Sequence, residues 1–100
     1  MIKVIVKIPH EQAEVREVSG AEEIEEILEG DYEVIQDDTL EGISLLVNED
    51  ARGVAANNFP VTSDGYLDWV YGPCVMIGAN GGSLTDADVE RITTYLAKSK

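Results

Sequence analysis

Residues 2–8 read Ile-Lys-Val-Ile-Val-Lys-Ile, and no other stretch restricts the fold as strongly. At a period of two, Ile2, Val4, Val6 and Ile8 share one face of a strand while Lys3, Ile5 and Lys7 share the other, as in a strand with one buried face. Such a strand needs neighbours for its backbone groups and an apolar layer over its buried side. Two later segments repeat near 3.6 residues instead, so helices supply that layer.

The first is residues 19–30, SGAEEIEEILEG. Ile24, Ile27 and Leu28 fall on one side of a helix, and Glu22, Glu25, Glu26 and Glu29 gather on the other. Ser19 and Glu22 have the spacing of a capping box, and Gly30 is placed to close the helix in a left-handed conformation. The second runs from Asp86 to about Ala97, with Thr85 and Asp88 in T-x-x-D spacing and Val89, Ile92, Tyr95 and Leu96 inward. Acids at its start and Lys98 and Lys100 at its end suit the helix dipole.

Between these lie the strands. Residues 13–18 (AEVREV) return beside the first strand, 32–36 (YEVIQ) and 43–48 (ISLLVN) flank the turn DDTLEG, and 66–71 reads as strand and loop material. Residues 74–79 (CVMIGA) are apolar enough for a central strand, whereas residues 53–60 read as an irregular extended segment. The order β-β-α-β-β-(β)-β-α predicts a single α+β domain over residues 1–100. Its sheet, antiparallel or mixed, has about four to six strands and carries two helices. Ile24, Ile27, Leu28, Ile77, Val89, Ile92 and Leu96 are the expected core, in a monomer or weak dimer.

The net charge of −13 is unevenly spread: residues 11–50 hold fifteen of the twenty acids and a single base, Arg16. Such a field repels nucleic acid and anionic membrane and attracts basic surfaces. The lysine-interrupted N-terminus lacks the apolar run of a signal peptide or membrane span. The single cysteine, Cys74, cannot form an internal disulfide and sits in an apolar run, which predicts a buried thiol in a cytoplasmic protein.

No catalytic constellation stands out, and no cofactor is implied. His10 is the only histidine, in a turn after Pro9 and without a nucleophile at motif spacing. One Cys and one His cannot make a zinc site, and the acids at 64–68 and 86–90 lack calcium-loop spacing, so no metal is expected. The glycines near Asn80 lack the lysine of a phosphate loop.

Taken together, VIVKIP, EVREV, ILEGDYEVI, a strand running into Asn48-Glu49, a Gly-x-Ala-x-Asn segment closing on Asn57, YGPCVMIG and SLTDADVERI resemble the domain of unknown function 3846 family over nearly the whole chain. That resemblance implies a small accessory protein of a bacterial phage, plasmid or other mobile element. It carries no activity or catalytic residues with it.

Three functional classes follow. The first is a non-enzymatic protein that binds a basic host protein through Glu22, Glu25, Glu26 and Glu29, with Glu33, Asp37 and Asp38 arriving from the next strand. Five glutamates over ten residues, at ~1.5 Å rise, give roughly one charge per 3 Å, near the ~3.4 Å per phosphate along a DNA strand, so the face could imitate nucleic acid. The second class is a small-ligand domain or enzyme using the loops at Asn48, Glu49, Asn57 and Asn58. In the third, the acidic surface serves only solubility or a salt-rich cell. Tyr66 and Trp69 are candidate aromatic anchors, with a core position for Trp69 and a rim position for Tyr66 as the plainer alternative.

Overall fold

The computed structural model describes residues 1–98. In chain order the elements are β1 (Ile2–Lys7), β2 (Glu14–Val18), α1 (Ala21–Leu28), β3 (Tyr32–Ile35), β4 (Ile43–Asn48), β5 (Asn57–Ser63), β6 (Tyr66–Tyr71), β7 (Cys74–Gly78), a short 3₁₀ turn and α2 (Asp86–Lys98). Five strands form one antiparallel sheet in the order β2-β1-β7-β4-β3, and β5 and β6 form a separate hairpin. The α+β class, the two helices and the pairing of β2 with β1 are as the sequence predicts.

Register sorts the side chains into two layers. Val6, Val75 and Leu46 lie in one row across β1, β7 and β4, while Ile5, Met76 and Leu45 lie in the adjacent row and point to the opposite face. The first face packs on α1 through Val4, Val18, Ile24, Leu28 and Ile77. The second packs on the β5–β6 hairpin and α2 through Phe59, Val61, Val70, Leu84 and Ile92. Ile5 is therefore buried between Lys3 and Lys7, and the middle of β1 is covered on both faces rather than one. Of the expected core, Ile24, Leu28, Ile77 and Ile92 are buried, and Ile27, Val89 and Leu96 pack half-buried at its margins. Full burial of a Leu or Ile side chain contributes about 1.5–3 kcal/mol.

Both helix ends of α1 differ from expectation by one residue. The helix starts after Gly20, so Glu23 rather than Glu22 reaches back, accepting from the Ser19 amide at 2.9 Å and the Ser19 hydroxyl at 3.1 Å. At the other end Glu29, not Gly30, takes the left-handed conformation at φ 61°, and the Gly30 amide donates to Glu25 O in a Schellman closure. For α2 the capping box forms as predicted: Asp88 Oδ2 accepts from the Thr85 amide and Thr85 Oγ1 from the Asp88 amide.

The segment read as irregular contains a strand. β5 holds Pro60 at a register position opposite Trp69, where Pro60 O turns away from β6 and lies 2.7 Å from Tyr95 Oη. Proline is tolerated because that position makes no demand on its missing N–H.

Candidate functional site

α1 presents Glu22, Glu26 and Glu29 to solvent and Glu25 at its shoulder, with Ile24 and Leu28 on the buried side. The ion pairs among the described residues are Lys3–Asp86, Arg16–Glu14, Arg52–Asp68 and Arg91–Asp88, and none includes a glutamate of α1. The stripe therefore keeps its like-charge i,i+4 pairs uncompensated.

The stripe does not extend into β3 as expected. Glu33 pairs in register with Val47, which places it on the sheet face opposite α1, beside Arg52, Trp69 and Tyr71. Asp37 is 4% exposed and lies between the main sheet, the hairpin and α2. Its Oδ1 accepts from the Thr39 amide (2.8 Å) and hydroxyl (2.6 Å), and its Oδ2 from the Thr62 amide (2.8 Å) and Tyr95 Oη (2.6 Å). Burial alone pushes this carboxyl up, but the bonds from Thr39, Tyr95 and Thr62 outweigh it and hold Asp37 below the usual carboxylate range. Asp38 accepts from the amides of Asp64 and Gly65 and so caps the hairpin turn. Asp37 and Asp38 are thus clamps for β5–β6, and Asp37 is unavailable to a partner. A continuous DNA-like surface from α1 through Asp38 does not form.

Beside the acidic stripe lies a groove of about 370 Å³, walled by Ala21 and Ile24 of α1 and floored by Tyr32, Val34, Leu46 and Ile77. Sequence reasoning missed it, although the alternation of Tyr32 and Val34 with Glu33 marked an apolar edge for β3. On the other side of the molecule a larger open cleft of about 570 Å³ separates the hairpin from α2, lined among others by Pro60, Leu67, Arg91, Tyr95 and Lys98.

Two of the four loop residues, Asn48 and Asn58, are tied to the backbone of neighbouring elements. Asn48 Nδ2 donates to Leu28 O at the end of α1, and Asn48 Oδ1 accepts from the Asp50 amide. Asn58 Nδ2 donates to Lys7 O and Gly72 O, and its Oδ1 accepts from Lys7 Nζ. Asn57 and Glu49 are exposed, and the cleft beside Asn48 measures only about 20 Å³ and is lined by neither Asn57 nor Asn58. The four side chains do not converge on one concavity there.

The aromatic candidates are on the hairpin surface. Tyr66 is 80% exposed, Leu67 72% and Trp69 41%, so Trp69 does not occupy a core position. Val70 faces inward instead, and Arg52 lies over the Tyr71 ring at 5.7 Å from its centroid while pairing with Asp68.

Among the described residues no group of three or more His, Cys, Asp or Glu side chains could hold a metal ion. No helix is long and apolar enough to cross a membrane. No curated protein and no solved structure matches the chain. A family model does match, over residues 2–97, which spans both faces of the sheet, α1 and nearly all of α2. The chain belongs to the family described as Domain of unknown function (DUF3846).

Proposed function

We propose that this protein is a non-enzymatic binding module that captures a basic host protein through the glutamate stripe of α1, as a cytoplasmic accessory protein of a mobile element. The observation that carries this reading is the stripe itself. Glu22, Glu25, Glu26 and Glu29 stand outward from a helix anchored by Ile24 and Leu28, and no ion pair of the described residues neutralises them. Charges arranged this way steer a basic partner and give an association that weakens with salt. A helix that accepts several small local penalties without compensation departs from the consistency expected of a purely structural element.

The test replaces all four glutamates with glutamine. Relief of the like-charge pairs Glu22–Glu26 and Glu25–Glu29, worth ~0.2–0.5 kcal/mol each, leaves the fold as stable or slightly more so. Affinity capture from a bacterial lysate at low and high salt then loses its salt-sensitive basic partner. Equal capture by the variant, at the same salt dependence, reduces the stripe to a solubilising surface.

A further inference from the structure

The sheet face beneath α1 is only partly covered. Five strands at ~4.8 Å spacing make a face about 19 Å wide, and one helix with its side chains spans about 10–12 Å. α1 packs over β1, the central strand β7 and part of β4. At the β3 edge Val34 remains 56% exposed, although its register partner Leu46 is buried. Val34, Tyr32 and Leu46 floor the groove of about 370 Å³ beside the first turn of α1, which Ser44 and Asn80 close at one end.

Helical geometry decides which charges border that groove. Ala21 and Ile24 line it. Passing around α1 from Ala21 toward solvent, Glu25 comes next at about 40°, then Glu29 and Glu22, then Glu26. Glu25 is half-buried, as its place on the rim requires, and the others are exposed. An apolar groove bordered, beyond its Ala21 and Ile24 wall, by the glutamates of α1 is complementary to a segment that is apolar on one side and basic on its flank.

The spacing of the sheet suits a helix. β3 lies two strands from β7, about 10 Å away, and packed helices sit 8–10 Å apart. A second helix centred over β3 would therefore lie at packing distance from α1 and complete the layer on that face.

We propose that this groove receives an amphipathic basic helix of the partner protein. It lies alongside α1 with apolar residues at i, i+3, i+4 and i+7 on Tyr32, Val34 and Leu46, and Lys or Arg facing Glu22, Glu25 and Glu29. The inference rests on the reading of α1 as the contact for a basic partner and adds the anchoring site and the conformation of what binds.

The test uses the full chain and a fluorescent synthetic peptide of about 14 residues, with leucines on one helical face and lysines on the other. Controls are the same residues in an order that destroys the apolar face and an oligolysine of equal length. Anisotropy measures affinity, circular dichroism the peptide's helicity, and amide NMR the residues perturbed. The expected result is helical binding that shifts Tyr32, Val34 and Leu46, at least tenfold tighter than either control. Val34→Lys, and separately Ser44→Lys at the groove's polar end, should weaken it tenfold or more while thermal unfolding shows the fold intact.

Loss of binding in the four-glutamine variant with none in the Val34 and Ser44 variants, or equal binding of oligolysine, overturns the groove while leaving the acidic contact standing. Loss in neither set overturns both. A peptide that binds the groove without becoming helical, or a groove found closed by a second copy of this chain in sedimentation, also overturns the proposal.

Discussion

The hydroxyl of Tyr95 lies 2.6 Å from Asp37 Oδ2 and 2.7 Å from Pro60 O, joining α2, the loop before β4 and the hairpin strand β5 at one atom. Fifty-eight residues separate Tyr95 from Asp37. Hydrogen bonds to a charged acceptor contribute about 1.5–3 kcal/mol each, and removing a partner inside the fold exposes the full desolvation cost of what remains.

Asp37 should therefore govern part of the acid stability. Its folded pKa is held below the usual carboxylate value near 3.8. Its contribution is fully present above the unfolded pKa and is lost as pH falls through the folded one. Asp37→Asn is expected to cost about 1.5–3 kcal/mol at neutral pH in urea denaturation. The difference between wild type and variant should stay constant above about pH 5 and shrink below about pH 4. A difference that is independent of pH down to pH 2 would contradict the assignment.

Asn58 and Asn57 are neighbours with opposite expectations. Asn58 ties Lys7 O and Gly72 O together and receives Lys7 Nζ, so Asn58→Ala should lower stability by about 1–3 kcal/mol. Asn57 is exposed, and Asn57→Ala should change stability by less than about 0.5 kcal/mol. Paired denaturation curves decide this, and equal effects would mean the Asn58 bonds do not hold the hairpin to β1.

Gly78 is required for space rather than for a special dihedral. Its φ is −64°, which any residue adopts, but an added Cβ would lie 2.8 Å from Gly82 O and 3.0 Å from Ser83 O. Both are backbone atoms of the segment that folds back on the end of β7, where the Gly78 amide also donates to Gly82 O. Gly78→Ala is expected to lose about 1–3 kcal/mol through strain in that segment. A variant with wild-type melting would show that the segment relaxes freely.

Cys74 should be chemically silent in the native state. It is completely buried in β7, and burial pushes its thiol far up despite the nearby Lys7 and the Leu46 amide. The thiolate is the reactive form, so a soluble aromatic disulfide should label the protein at pH 8 only on the time scale of unfolding, and at once in denaturant. Rapid native labelling would place Cys74 in a more open setting than β7 provides.

Much of the architecture was legible because its causes are local. The Thr85–Asp88 box and the spacing of Val89, Ile92 and Leu96 describe α2 within a few residues of chain. The alternation of β1 and the turn after it were enough to bring β2 alongside. For the same reason the outward glutamates and inward Ile24 and Leu28 of α1 followed from helical periodicity alone.

Other features were decided at long range. Asn57–Ser63 is polar and carries Pro60, and it becomes a strand because β6 pairs with it, Phe59 and Val61 find the core, and the Asp37 carboxylate receives the Thr62 amide. Asp37 looked like one more surface acid. Its burial depends on donors supplied by Thr62 and Tyr95, which no local pattern connects to it. Glu33 was expected beside α1, but a strand's side-chain direction is set by register, and pairing with Val47 turned it to the other face. The groove beside α1 is of the same kind: periodicity determined the apolar residues that line it, while the strand order placed β3 at an edge that one helix cannot reach. Local sequence determines which side of an element is apolar, and only the packed sheet determines what covers that side, because coverage depends on strand order and on residues far away in the chain.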